Sequence, residues 1–255
     1  MVTTATSKWV GVTSAGVTAS WDAENAEVSD DSPTIAQAEV PVYKGAAFVA
    51  ASFELFEDAA GLAEQVARLF VDARDRLEAT AFETGSGSGQ PTGVWTEIHG
   101  ITASRVVSTT AAVIGEVDLH AVYQALPVRY RPSATWVTNP KWALEIKRLG
   151  TNIASTFSGD LTEAPARDIL GRPLVVSDDS PAVVTTTALD SRVMFGDFSN
   201  YVIADRVGSS IEFIPHLFGS NGRPTANRGW YLHWRSGGDV VNVDAFRELV
   251  DKTSA

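Results

Sequence analysis

Residues 62–82 read LAEQVARLFVDARDRLEATAF and lead into Gly85-Ser86-Gly87-Ser88-Gly89-Gln90-Pro91-Thr92-Gly93. Leu62, Val66, Leu69, Phe70, Ala73, Leu77 and Ala81 recur at helical spacing, which predicts a helix with one apolar stripe. Glu64, Arg68, Asp72, Asp75, Arg76 and Glu78 fall largely outside that stripe. No proline interrupts the run, so it forms a rod of roughly 30 Å. The glycine-rich segment stops it, because glycine favours open chain and proline cannot continue a helix. On this reading Leu69 faces the core, and Leu69→Asp buries a carboxylate at a cost of several kcal/mol.

The chain around this rod has 255 residues, 44% of them hydrophobic, enough for one large domain or two small ones. Cysteine is absent, which excludes disulfides and thiolate zinc sites. The formal net charge of -11 argues against a free-standing nucleic-acid binder, which would show a basic face. Residues 1–20 lack the pattern of a secretory signal, and no run approaches membrane-spanning length, so no membrane partner is expected.

Before the rod, Val10 and Val12, then Val17, Ala19 and Trp21, alternate as in a strand. Residues 22–33 form an acidic turn with Asp22, Glu24, Glu27, Asp30 and Asp31, and residues 35–43 return as a second extended run. Together they predict a long hairpin with a charged tip. A lone ribbon of this kind is marginal in water, so it needs a surface to lie on. Ser52 or Asp58 suits a helix start, and Gly61 a break.

After the rod, helix and strand signals alternate. Residues 117–126 read as a helix ended by Pro127, and residues 135–138 as a strand. Asn139-Pro140 caps a helix running from Lys141 to Gly150. Residues 151–168 read as a loop, and residues 174–177 and 193–195 as buried strands. Residues 201–204 and 211–214 flank a turn at Gly208. Gly219 to Gly229 is a polar loop, and Trp230, Leu232 and Trp234 alternate with Tyr231 and His233. Gly237-Gly238 reads as a break, with residues 240–243 as the last strand. The fold class is α+β.

The residues present no active site. The glycine run lacks the lysine and hydroxyl of a phosphate loop and follows a helix instead of opening one. Ser86 and Ser88 are flanked directly by glycine, the wrong spacing for a nucleophile elbow, which leaves a serine hydrolase as a weak alternative. None of the four histidines lies a helical turn from another, so no metal pair is expected. No catalytic residue and no cofactor is assigned. Trp230 and Trp234 suit packing better than ligand stacking.

Four stretches, in order, resemble major capsid proteins of tailed bacteriophages with the HK97 fold. The first is Glu78-Ala79-Thr80-Ala81-Phe82 with the glycine run and Gln90-Pro91-Thr92-Gly93, similar to the end of that family's spine helix. The second is Ile169-Leu170-Gly171-Arg172-Pro173-Leu174-Val175-Val176-Ser177. The third is Gly196-Asp197-Phe198-Ser199 with residues 201–206. The fourth is Gly229-Trp230 to Arg235 with Asp244-Ala245-Phe246.

The resemblance implies an E-loop hairpin at 1–50 lying on a neighbouring subunit. It implies a peripheral domain with the spine helix at 51–100 and 197–236, and an axial domain at 101–196 and 237–255. It implies a self-assembling subunit, not an enzyme, forming pentamers and hexamers of an icosahedral shell around double-stranded DNA, without sequence-specific contact. An encapsulin-like shell with protein cargo is the alternative within the fold. Scaffold, protease, portal and decoration proteins are possible further partners. The location implied is the virion, assembled in the bacterial host cytoplasm. Family members usually carry an N-terminal arm before the E-loop; this chain begins almost inside it.

Some members form an isopeptide bond from an E-loop lysine. Here the tip has no lysine, and His233-Trp234 stand where the promoting glutamate is expected, so cross-linking is not expected. The tip carboxylates instead seek cations, with Arg223 and Arg228 as the candidate partners at the subunit interface.

Overall fold

The structure, a computed structural model, describes residues 1–14, 21, 35–58, 61–152, 168–183, 185 and 188–253. The first part of the chain forms strands β1 (Val2–Thr4), β2 (Lys8–Ser14), β3 (Ile35–Pro41) and β4 (Tyr43–Ser52), then helices α1 (Phe53–Asp58), α2 (Leu62–Thr84) and α3 (Val94–Gly100). The middle contains β5 (Arg105–Val107), α4 (Glu116–Ala125), β6 (Thr135–Thr138), α5 (Pro140–Asn152), β7 (Asp168–Ile169), β8 (Arg172–Val176) and β9 (Ser191–Gly196). The last part contains β10 (Tyr201–Arg206), β11 (Ser210–Ile214), β12 (Asn227–Val240) and β13 (Phe246–Val250). Helices and strands are thus mixed, as the sequence predicts.

Strand β12 is the hub of a five-stranded sheet. It pairs antiparallel with β4, β10 and β11, and β1 adds in parallel to β10. Its alternation sends Trp230, Leu232 and Trp234 to one face, where they meet Val66 and Phe70 of α2 with Ala47, Val49 and Ala51 of β4. The small β4 residues make room for the indoles. A Cβ on Gly45 would lie 2.4 Å from the Trp234 ring. Arg74 of α2 lies over that ring at 5.8 Å and pairs with Glu78 at 3.0 Å and Asp205 at 3.3 Å, tying helix to sheet.

Strand β12 does not break at Gly237-Gly238. Both glycines pair with β10, and a Cβ on either would collide, with the Pro41 carbonyl or the Tyr201 hydroxyl. They mark close approach, not a turn, so the expected strand at 240–243 is replaced by β13.

The segment 1–50 is likewise not one piece. Only β2 and β3 form the hairpin, with Lys8 opposite Pro41 and Ser14 opposite Ile35, while β1 and β4 belong to the five-stranded sheet.

The second sheet runs β5-β13-β9-β6-β8-β7. Strand β9 is buried throughout. Trp136 stacks on Phe195 at 4.2 Å, and α4 and α5 contribute Leu119, Val122, Trp142 and Ile146 to the same core. The Asn139 side chain accepts from the Lys141 backbone N–H at 3.1 Å, as its capping position predicts. The α5 helix continues through Gly150 to Asn152. Most of the predicted loop at 151–168 lies outside the described residues. Ser52 caps α1, its hydroxyl accepting from the Leu55 N–H at 3.2 Å, and Gly61 separates α1 from α2 with φ 87°.

The apolar stripe of α2 needs correction. Val66, Phe70 and Ala81 are buried, but Leu69 is 60% and Leu77 54% exposed, and Ala73 is exposed too. Helical spacing alone does not ensure burial: Leu69, Ala73 and Leu77 stay exposed although they recur in register with the buried Val66, Phe70 and Ala81.

In denaturant unfolding of the dissociated subunit, Val66→Asp is therefore expected to destabilise by several kcal/mol. Leu69→Asp is expected to stay within about 0.5 kcal/mol of the parent. Equal losses for both would place the helix face wrongly.

Candidate assembly surface

The glycine segment after α2 is a structural clasp. Gly93 N–H donates to Gly85 O at 2.9 Å, and Thr92 N–H to Gly238 O at 3.0 Å. Tyr43 Oη donates to Gly87 O at 2.7 Å, and Tyr201 Oη to Thr92 O at 2.7 Å. Burial, with Asp239 nearby, holds the Tyr201 hydroxyl protonated well above its ordinary range. The Ser86 hydroxyl accepts from the Gln90 amide at 3.0 Å. The loop spends its polar groups on itself and on the sheet.

A different serine does stand beside a histidine and a carboxylate, which the sequence did not reveal. Ser191 of β9, His99 of α3 and Glu248 of β13 meet between the helix and the second sheet. Ser191 Oγ and Glu248 Oε1 both contact His99 Nδ1, each at 3.0 Å, and Ser191 Oγ donates to Glu248 Oε2 at 2.8 Å. A hydrolytic triad needs the serine on one ring nitrogen and the acid on the other. Here both crowd the same nitrogen, and Ser191 is buried. The trio is a packing contact.

Glu248 is fully buried, with Arg105 Nε 3.7 Å away. Burial pushes its carboxyl pKa up, and Ser191, His99 and Arg105 draw it back only in part. A second buried pair, Arg192 with Asp251, lies close by, and the guanidinium sits 4.4 Å from the Trp142 ring. Among the described residues no group of three or more His, Asp or Glu forms a metal site.

What remains open is surface. The β2–β3 hairpin is joined to the sheet at its base, where Val42 N–H donates to Ser7 O at 3.0 Å. Lys8 pairs with Glu39 at 2.5 Å. Val12 and Trp21 are exposed. Asp22, Glu24, Glu27, Asp30 and Asp31 lie outside the described residues. On α2, Leu69, Val71 and Leu77 are exposed.

On the sheet face away from α2, Phe48 is about half exposed and lies over Gly229, where a Cβ would stand 2.6 Å from its ring. Tyr231 stacks on His233 at 5.6 Å, and Lys44 Nζ is 5.5 Å from the Tyr231 ring.

The two arginines expected to meet the tip are not equivalent. Arg223 is exposed in the turn before β12, its carbonyl accepting from Gly219 N–H at 2.9 Å. Arg228 belongs to β12, opposite Ala51, with its guanidinium 4.5 Å from the Phe53 ring. The strand begins inside the region read as loop, and this arginine is half-buried against α1.

Replacing Glu248 by Gln isolates its titration. Above the ordinary glutamate pKa the unfolded chain has released this proton while the folded chain still holds it, so stability falls as pH rises towards the folded value. A pH series of unfolding curves should show the parent losing stability relative to Glu248→Gln over that interval. A pH-independent difference would contradict the assignment.

Residues 1–251 match the family model described as the phage capsid family. Among solved structures the chain is similar to "Capsid of native GTA particle computed with C5 symmetry", with 24% identity and a TM-score of 0.82, over 98% of this chain and 86% of that one. It is similar to a chain of Microbacterium phage Oxtober96, with 12% identity and a TM-score of 0.70, over 97% and 87% of the two chains. It is similar also to one of Mycobacterium phage Bobi, with 15% identity and a TM-score of 0.69, over 99% and 88%. At these identities the likeness is one of fold. No curated protein matches the chain.

Proposed function

Because this chain belongs to the phage capsid family, and is a structural protein with an HK97-like fold, we propose that copies of it assemble into pentamers and hexamers. These close into an icosahedral shell around phage double-stranded DNA, held without sequence-specific contact. The observation that carries this reading is the amount of apolar surface left uncovered beside an extended hairpin. Val12, Trp21, Phe48, Leu69, Val71 and Leu77 are all exposed in the single subunit. They lie in the hairpin region, on the sheet face away from α2 and on α2 itself, places that neighbouring copies can cover.

Two-stranded ribbons gain stability by packing on further structure. A neighbouring copy supplies that surface, and closed symmetry repeats the contact around the shell. In this assignment β2 and β3 are the E-loop. The α2 helix and the five-stranded sheet form the peripheral domain, and the six-stranded sheet with α4 and α5 forms the axial domain. The likeness to a GTA capsid computed with C5 symmetry supports pentamers here. The subunit belongs in the virion, with assembly in the bacterial host cytoplasm. Scaffold, protease, portal and decoration proteins are its natural further partners.

Electron microscopy of the purified protein, with nucleic-acid analysis of what it encloses, is the direct test. Closed shells of uniform size that contain DNA on isolation from phage are expected. Shells filled with a protein cargo would favour a nanocompartment, and a stable monomer with its hairpin packed on its own body would refute assembly.

A further inference from the structure

Asn221-Gly222 is the single Asn-Gly pair in the chain. It stands in the connection between β11 and β12, and both residues are exposed. The turn around it is closed twice. Gly222 N–H donates to Gly219 O at 2.9 Å, and Gly219 N–H donates to Arg223 O at 2.9 Å. Behind it, Thr225 N–H donates to Leu217 O at 2.7 Å, and Phe218 bridges Pro224. Asn221 is thus carried at the tip of a small, closed loop.

Two features make this pair reactive. An asparagine side chain reaches the backbone N–H groups that follow it, which is why the residue favours turns. When the next residue is glycine, no side chain shields its nitrogen. The Asn221 amide has no hydrogen bond among the described residues, so it is free to turn towards that nitrogen.

We propose that Asn221 is a self-modification site, which loses its side-chain amide in the native subunit and becomes a carboxylate. The Gly222 nitrogen gives its proton to solvent and attacks Cγ of Asn221. The new N–Cγ bond closes a succinimide ring, and the side-chain nitrogen leaves with protons from solvent as ammonia. Water then opens the ring at either carbonyl. One product is aspartate; the other is isoaspartate, in which the main chain runs through Cγ. Water is the one co-reactant consumed.

The turn sets the rate. Gly222 N–H is engaged with Gly219 O, so attack requires this turn to open. Opening an exposed loop costs far less than unfolding the subunit. Conversion is therefore slower in the native chain than in the unfolded one, but not prevented. The new carboxylate stands two residues from the exposed Arg223 and offsets its charge. Every copy carries the same site, and the chemistry does not depend on the self-association proposed above.

The test uses the free subunit held at mildly alkaline pH, where the attacking nitrogen loses its proton more readily. Peptide mapping by mass spectrometry should show aspartate and isoaspartate accumulating at position 221 faster than at any other asparagine. The same site should convert several-fold faster in urea. Asn221→Gln should stay unconverted. Gly222→Ala should lose most of the conversion with Asn221 still in place; nothing lies within 4 Å of the position its Cβ would take. An intact Asn221 in native subunit, under conditions that convert the urea-unfolded chain, overturns the proposal. Equal rates in the native and unfolded chains overturn control by the turn. Neither result touches the question of assembly.

Discussion

The structure depends on one strand. Strand β12 is paired with three others and is also the floor on which α2 lies. Two indoles, Trp230 and Trp234, fill the space between helix and sheet, and the strand beside them must then be thin. That is why β4 offers Gly45, Ala47 and Ala51 towards the helix and keeps Phe48 on the other face. A buried tryptophan contributes a large apolar area, so this contact supplies more stability than any polar pair around it. The hairpin inherits its position from the same contact, because β3 passes through Val42 straight into β4.

The second sheet is held differently. Its core is apolar, but two buried polar groups interrupt it: Glu248 with Arg105 and His99 beside α3, and Arg192 with Asp251 against Trp142 of α5. Buried pairs contribute little net stability against apolar residues of the same shape, yet leave an uncompensated charge if one partner goes. Their effect is on alignment. Glu248 sits on β13 and reaches residues of β9, β5 and α3, so a slipped strand would strand the charge. The end of α2 is fixed to this sheet as well. The Ser180 hydroxyl donates to Glu83 at 2.7 Å, and that of Thr80 to Asp179 at 2.6 Å.

The surface shows the complementary logic. Within the subunit Lys8, Arg68, Arg74 and Arg76 are paired with nearby carboxylates, while Phe48 of the sheet and Leu69 and Leu77 of α2 stay exposed. A chain of net charge -11 repels its own copies at long range. Close association must therefore be selective, through the few places where apolar surface is exposed.

Much of this was legible in the sequence. The length of α2, the cap at Asn139, the strand at 135–138 and the inward alternation of Trp230, Leu232 and Trp234 all follow from periodicity and from residues with fixed local preferences. So did the pairing of two weakly apolar arms before the rod. The family resemblance placed the fold. The structure decided which α2 residues are buried, that Gly237-Gly238 continue a strand, and that Arg228 is stacked on Phe53. The reason is that periodicity marks a face without naming what lies against it. Burial and close approach are properties of two segments far apart in the chain, and they exist only once the sheet has set its register.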